Sequence, residues 1–204
     1  KNIFFYDHHF CHACSAYYMA PSSFKNDCLV VTIDGQGDNS FCKVYTIEDN
    51  KPVQQIESSN SSSIPNLYSI FTQVLGFKAS ADEGKLEALA CYGDMHKNHD
   101  LYKILNASFY VNGDMEILLK TNNKFPFYSI TKQWSEIRDF LITYKNKMGE
   151  KDFSAVMQLF FEEFFLEYIV SLKSKYKVNK MAFAGGGFAN VKLNLRLVEE
   201  ANLD

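Results

Sequence analysis

The stretch Cys28–Asp38 reads CLVVTIDGQGD and decides the fold. Its first residues are rich in β-branched side chains and predict a buried strand that runs into an acidic, glycine-containing turn. Phe41–Ile47, FCKVYTI, alternates in polarity and predicts the return strand of a hairpin. Val53–Ser58 predicts a weaker third strand after it.

The far end of the chain predicts a strand–glycine–helix unit. Lys180–Ala184, KMAFA, predicts a strand, Gly185–Gly187 a turn and Asn190–Ala201 a helix. Between the two regions the periodicity is mostly helical, and the longest helix is predicted at Lys151–Lys175, with an aromatic stripe that faces the core. Strands and helices in this order indicate an α/β fold.

The remaining segments complete this prediction. A short apolar run predicts a buried strand at Ile3–Tyr6, a polar run predicts a mobile loop at Ser58–Ser63, and Phe109–Leu119 predicts a hairpin around Asn112-Gly113. Further helices are predicted at Asp7–Ala20, Asn66–Leu75, Asp82–Cys91, Asp100–Leu105 and Ile130–Lys147.

Composition narrows the class of protein. The 204 residues are 47% hydrophobic and 22% charged, which is ordinary for a globular chain with its own core. The net charge is −3 with scattered basic residues, so no nucleic-acid partner is expected. No apolar run reaches roughly 18 residues, so no membrane span is expected. Five cysteines, an odd number, indicate a reducing and therefore cytoplasmic setting. Both ends look cut, and the rest of a longer polypeptide is expected on both sides.

The predicted helix that begins after Asp7 carries the first chemical signal, DHHFCHACSAYY. His8, Cys11, His12 and Ser15 share one side, because residues three and four apart lie on the same face of a helix. Two histidines at this spacing can bind one divalent ion if a third ligand comes from elsewhere, although a polar first turn would look the same. Cys14 points away from Cys11, so both cysteines are expected to be small packing residues rather than a redox pair.

Three turns could face an anionic ligand. Asp34–Asp38, DGQGD, suits phosphate only through a bridging cation, and a plain tight turn remains the alternative. Gly185–Gly187 precedes a helix, so bare backbone and the helix N-terminus could face a nucleotide. Asp82–Lys85, DEGK, could contact ribose or phosphate, or could simply begin a helix.

Four motifs in chain order resemble the carbamoyltransferase family of nodulation and antibiotic-tailoring proteins. They are DHHFCHACSAYY (7–18), VTIDGQGDNS (31–40), LYSIFTQVLGFKASADEGKLEALACYG (67–93) and FAGGGFANVKLNLRL (183–197). The resemblance implies an actin, sugar-kinase and heat-shock ATPase fold, similar to the tRNA threonylcarbamoyl-adenosine transferases. It divides the chain into the end of a first subdomain (1–27), which carries the histidine helix, and a second subdomain (28–204).

The resemblance also implies a reaction. Carbamoyl phosphate and ATP would give carbamoyl adenylate, and the carbamoyl group would then pass to a substrate hydroxyl. A divalent metal, iron, zinc or manganese, would be held by His8, His12 and Asp34, with a further aspartate beyond residue 204. The resemblance thus supplies the third ligand that the spacing of the two histidines leaves open.

The other site residues follow the same motifs. Gly35 and Gly37 would lie at the phosphate or carbamoyl end. The residues expected toward the nucleotide are Glu83, Lys85, Gly185, Gly186, Asn190 and Asn194. Glu87-Ala88 is bulkier than the family's usual small pair, which leaves less room for a ligand there. Asp38 or His9 could act as the base for the acceptor hydroxyl, and nothing in the sequence selects between them.

Two other functions fit parts of the pattern. A sugar or acid kinase of the same superfamily would share the glycine turns but would not need the paired histidines. A non-catalytic nucleotide- or metal-binding module would need only the turns or the histidines. The acceptor cannot be named from the sequence.

Overall fold

The structure, a computed structural model, describes residues 2–24 and 28–203. The strands are β1 (Cys28–Gly37), β2 (Ser40–Glu48), β3 (Lys51–Ser59), β4 (Phe109–Val111), β5 (Ile117–Leu119) and β6 (Lys180–Ala184). The helices are α1 (His8–Met19), α2 (Ile64–Val74), α3 (Glu83–Ala90), α4 (Asp100–Ser108), α5 (Trp134–Met148), α6 (Glu150–Tyr176) and α7 (Val191–Glu200). Short 3-10 turns precede β1, α2 and α7.

The main sheet has four strands in the order β3-β2-β1-β6. β1 to β3 form an antiparallel meander, and β6 returns from the far end of the chain to pair with β1 in parallel. Each meander turn has two left-handed residues, Asp38-Asn39 and Asp49-Asn50, the conformation that favours Asn and Asp in tight hairpins. The mixed sheet and its helices confirm the predicted α/β class.

The sheet is covered on both faces, because successive side chains of β1 point to opposite sides. Leu29, Val31 and Ile33 enter the large core under α2 and α6. Cys28 and Val30 enter a smaller cluster under α1. This double burial explains why β1 is an unbroken apolar run, and it places α1 on the sheet just where β1 ends in acidic residues.

Helix α6 supplies much of the large core. Its predicted aromatic stripe is confirmed, since Phe153, Phe160, Phe161 and Phe165 are buried. Phe153 stacks on Phe71 of α2 with ring centroids 4.4 Å apart. Aromatic stacking of this kind fixes α2 and α6 against each other, and both helices contribute residues to the site described below.

Two predictions about loops and strands are wrong. Ile3–Tyr6 is not a strand but exposed chain, with Phe5 93% exposed, because no described strand pairs with it. Ser58–Ser63 is not a mobile loop, since β3 runs to Ser59 and Ser63 is buried and caps α2 through Asn66. Serine hydroxyls cap helices as readily as they fill loops, so a polar run alone is ambiguous.

The hairpin at β4 and β5 is confirmed, but its turn is longer than the predicted Asn112-Gly113 pair. Residues 112–116 connect the strands, and the Asn112 side-chain oxygen accepts hydrogen bonds from the amides of Asp114 and Glu116. The actin-like two-subdomain architecture, its division at residue 27 and the larger polypeptide remain predictions. In the part of the chain that the structure describes, every helix is too short or too polar to cross a bilayer.

Candidate metal centre and adjoining cleft

The N-terminus of α1 is fixed to the sheet by Asp7. One carboxylate oxygen of Asp7 accepts a hydrogen bond from the Phe10 amide at 2.7 Å, and the other lies 2.9 Å from the Lys43 ammonium, which is buried on β2. Burial raises the pKa of Asp7, but these two partners outweigh it and hold that pKa below its usual range. Asp7 is therefore the N-cap of α1, and it sets the position of the histidines that follow.

His8 and His12 converge on Asp34 at the end of β1. The Nε2 atoms of His8 and His12 lie 3.2 and 3.1 Å from the same Asp34 Oδ2. One ligand atom from each of the three residues lies within 4.8 Å of the others. The side chains are 43%, 33% and 25% exposed, so the cluster is reachable from solvent. The structure thus brings the three predicted metal ligands together.

This donor set fits the implied ion. Two imidazole nitrogens and one carboxylate oxygen are the ligands that zinc and iron use in sites with open coordination positions. The neighbouring backbone also favours an ionised Asp34, since its Oδ1 accepts from the Gly35 amide at 2.8 Å. Burial raises the pKa of Asp34, but hydrogen bonds from His8 and from the Gly35 and Gly186 amides hold it below its usual range. Asp34 is therefore an anion at neutral pH.

Gly37 makes the approach of His8 possible. A Cβ atom added at Gly37 would lie 2.6 Å from His8 Cγ and 2.9 Å from His8 Cβ, closer than side chains pack. Asp38 also holds His8, because its Oδ2 accepts a hydrogen bond from the His8 amide at 2.6 Å. Both predicted residues therefore lie beside the cluster, and exposed Asp38 keeps its place as the candidate base.

His9 lies about 100° round α1 from His8, on the side that faces the sheet, and does not fit the predicted role of base. It is fully buried, its Nδ1 lies 2.8 Å from Thr32 Oγ1, and its Nε2 lies 3.2 Å from the Ser40 carbonyl oxygen. Burial lowers the pKa of His9, with a partial offset from the Ser40 hydrogen bond. With both nitrogens engaged away from solvent, His9 joins α1 to the sheet instead.

A cleft of about 430 Å³ adjoins the cluster and shares Asp34 with it. The predicted site residues that line it are Asp34, Gly35, Glu83, Gly186 and Asn190. β1, α3 and the glycine turn before α7 contribute these residues, so motifs far apart in sequence meet at one place. A Cβ atom on Gly186 would lie 3.2 Å from Asp34 Oδ1, so the bare backbone there lets the turn close onto the carboxylate.

The family comparison agrees with this assembly. A family model described as carbamoyltransferase N-terminus matches residues 1–204. The chain belongs to this family. The resemblance expected from the four motifs is thereby confirmed.

Relatives of this carbamoyltransferase N-terminal chain are similar over nearly all of it. Two uncharacterised proteins of Methanocaldococcus jannaschii are 34% and 29% identical over 98% and 100% of the chain. An uncharacterised protein of Synechocystis is 27% identical over 97% of the chain. The chain covers 33%, 37% and 32% of these three relatives and thus spans about a third of their length.

The cleft of this carbamoyltransferase N-terminus family member is acidic. Asp34, Glu83 and Glu87 line it, and among the described lining residues there is no lysine or arginine. Glu83 is held in place, since its Oε1 accepts hydrogen bonds from Ser69 Oγ and from the Ser80 amide, both at 2.6 Å. Carboxylates so arranged can accept hydrogen bonds from hydroxyl groups, whereas a phosphate group would need a cation between.

Asn190 is oriented by a buried polar network that the sequence patterns did not reveal. Its side-chain amide exchanges hydrogen bonds at 3.0 Å in both directions with Gln158 of α6, and its oxygen caps α7 at the Leu193 amide. Gln158 is fully buried and also accepts from the Tyr68 hydroxyl at 2.7 Å. Tyr68 and Asn66 both line the cleft, and neither was predicted from the sequence as a site residue. The signal in the sequence that could have indicated this network was Gln158, a polar residue within the aromatic stripe of α6.

Three predicted nucleotide-side residues lie outside the cleft lining. Lys85 points away, paired with Asp82 at 3.0 Å and placed over the Phe77 ring. Asn194 donates to the Phe188 carbonyl at 2.8 Å. Gly185 has a left-handed φ of 97° and packs its backbone on β1. None of these three residues therefore contacts the cleft.

The cysteines of α1 lie beside the cluster without joining it. Cys11 and Cys14 are both free thiols. Cys14 is half-buried, but Cys11 is exposed, so the prediction that both are packing residues is wrong for Cys11. Burial raises the pKa of the Cys14 thiol, which agrees with an inert packing role there.

Proposed function

We propose that this chain is part of an O-carbamoyltransferase that moves a carbamoyl group from carbamoyl adenylate to a substrate hydroxyl. The adenylate would be made from carbamoyl phosphate and ATP. The observation that carries the proposal is the position of Asp34 between two features. It faces the two histidines on one side and the glycine-lined cleft on the other. Membership of the carbamoyltransferase N-terminus family supports it.

His8, His12 and Asp34 would hold the divalent ion. When bound, iron, zinc or manganese would supply Lewis-acid chemistry, either by polarising the carbamoyl oxygen or by lowering the pKa of the acceptor hydroxyl. The ionised Asp34 is oriented by the Gly35 and Gly186 amides, so its remaining oxygen stays directed at the two imidazoles. The donors are thus arranged before any ion arrives.

The cleft would hold the nucleotide portion of the adenylate. Gly35 and Gly186 present bare backbone to the ligand, and the Asn190 side chain is fixed by Gln158. Glu83 and Glu87 suit the hydroxyl groups of a ribose, and the lack of a described cation in the lining disfavours an unshielded triphosphate. Holding the adenylate here would align its carbamoyl carbon with an acceptor near Asp38, the candidate base.

A kinase of the same superfamily could use the same cleft, but its reaction would not need the paired histidines His8 and His12. The test therefore uses the whole protein with His12→Ala, Asp34→Asn and, as a matched control, Ser15→Ala, an exposed residue one turn further along the same helix. Metal content is measured together with transfer of labelled carbamoyl from carbamoyl phosphate to a panel of sugar and polyol acceptors.

The expected result is that His12→Ala and Asp34→Asn each lower the bound metal by the one ion assigned to His8, His12 and Asp34 and abolish carbamoyl transfer, while Ser15→Ala keeps both. Retention of full transfer by His12→Ala would overturn the metal role. ATP-dependent phosphorylation of the same acceptors, insensitive to His12→Ala, would favour the kinase.

A further inference from the structure

A second group of metal-binding side chains lies in the segment Asp94–His99, DMHKNH, which connects α3 to α4. Ligand atoms of Asp94, His96 and His99 lie within 4.8 Å of one another. This segment, called here the histidine loop, shares no residue with the cluster of His8, His12 and Asp34. We propose that the histidine loop binds a transition-metal ion of the zinc, nickel or copper class.

The two imidazole rings of the loop lie face to face. The imidazoles of His96 and His99 stack with centroids 4.3 Å apart and an interplanar angle of 4°. His96 Nε2 lies 2.8 Å from Asp94 Oδ2. His99 Nε2 donates to the Asp94 carbonyl oxygen at 3.0 Å, which leaves the lone pair of the neutral ring on Nδ1. The ligand atoms of one carboxylate and two imidazoles therefore lie close together, and a turn of one ring out of the stack, with the backbone in place, would direct both rings at one ion.

The loop is tethered to the two helices beneath it. The Asp94 amide donates to Asp152 Oδ1 at 2.9 Å at the start of α6. Lys97 forms an ion pair with Glu163, further along α6. The Lys192 ammonium of α7 lies 3.9 Å from the Met95 sulfur. Because the ends and the middle of the loop are held, less conformational entropy is lost when an ion is bound.

To bind an ion through Nε2, neutral His96 must move its single ring proton from Nε2 to Nδ1, so its hydrogen bond to Asp94 is lost. His96 would also give up the hydrogen bond that Nδ1 accepts from the Asn98 amide at 3.1 Å. That exchange, together with the exposure of Asp94 and His96, makes the site weaker than a buried structural zinc site. Imidazole nitrogens with one carboxylate select zinc, nickel or copper over magnesium or calcium.

The proposal is independent of carbamoyl transfer and is tested by metal uptake alone. The whole protein, with His8→Ala and His12→Ala to silence the first cluster, is titrated with Zn²⁺ and with Mg²⁺ by calorimetry. His96→Ala and His99→Ala are then added together. Asn98→Ala, in the same loop but without a ligand atom, is the matched control. Far-UV circular dichroism of each variant checks that the fold persists.

The expected result is Zn²⁺ uptake in the silenced background, no comparable Mg²⁺ uptake, loss of Zn²⁺ binding with His96→Ala and His99→Ala, and retention with Asn98→Ala. Zn²⁺ binding that survives the loss of both loop histidines would overturn the proposal. So would the absence of Zn²⁺ uptake in the silenced background, or an equal loss caused by Asn98→Ala.

Discussion

Gly37 is the residue at which one added methyl group should separate metal binding from folding. In Gly37→Ala, the new Cβ would lie 2.6 Å from His8 Cγ and 2.9 Å from His8 Cβ. Because the contact includes His8 Cβ, rotation of the ring alone cannot relieve it, and the first turn of α1 must move. Asp7 and Asp38 hold that turn, so the shift strains both contacts.

Two magnitudes are expected, one for folding and one for metal binding. Overpacking of this kind costs about 1–3 kcal/mol of unfolding free energy. Metal affinity should fall by about 10–100-fold, the usual effect of disturbing the residues that orient a ligand, which corresponds to about 1.4–2.8 kcal/mol of binding energy. The site would therefore be weakened in a protein that still folds.

The assay is a Zn²⁺ competition titration with a chromophoric chelator, combined with urea unfolding. It is performed in a background of His96→Ala and His99→Ala, so that only the cluster on α1 contributes. Gly113→Ala is the matched control, because an added Cβ there meets nothing within 4 Å. Parental affinity in Gly37→Ala, with Gly113→Ala also unchanged, would refute the argument that this glycine admits His8 to the site.

Three further outcomes are expected in unfolding experiments. Because the pKa of Asp7 is lowered in the folded protein, its stabilising effect is complete above about pH 3.9, the ordinary aspartate pKa, and is lost as the pH falls through the lower folded value. Asp7→Asn should therefore reduce the loss of urea-measured stability at acid pH, and an unchanged loss would count against the Lys43 contact. Gln158→Leu should cost about 2 kcal/mol or more, because it leaves the buried partners of Gln158 unsatisfied, and a cost near zero would show that Asn190 is not held this way. Phe153→Ala should cost about 3–5 kcal/mol by chemical denaturation, and a loss below 1 kcal/mol would contradict its place in the core.

β1 and the start of α1 could be predicted from the sequence because the signals for them lie in neighbouring residues. β1 is an apolar run with β-branched residues, and Asp7 is a cap placed directly before a helical pattern, so neither depends on distant contacts. The structures of the apolar run near the N-terminus and of the polar run could not be predicted in this way. Ile3–Tyr6 has the composition of a strand, but a strand also needs a partner, and composition does not contain that information.

The candidate site shows the same limit. The spacing of His8 and His12 predicted a shared face, but the third ligand lies 22 residues beyond His12 in the chain, and only the resemblance pointed to Asp34. Their meeting depends on how α1 lies on the sheet, which is set by the small core of Ala13 and Val30. His9 is the counterexample, because the same helix turns it toward Thr32 and buries it.

Asp34 makes the cluster and the cleft interdependent. Its Oδ2 faces the two imidazoles, and its Oδ1 is bound by the Gly35 amide beside Gly186 in the cleft. A carboxylate is a rigid plane, so any ligand that moves the glycine turn also rotates the oxygen offered to an ion. Under the proposed function, an ion that holds Asp34 in this orientation would also hold the turn for a nucleotide, and by reciprocity the nucleotide would favour the ion equally. Occupation of either place should therefore favour the other, which is the coupling a transferase needs if the carbamoyl donor is to be activated only when it is fully bound.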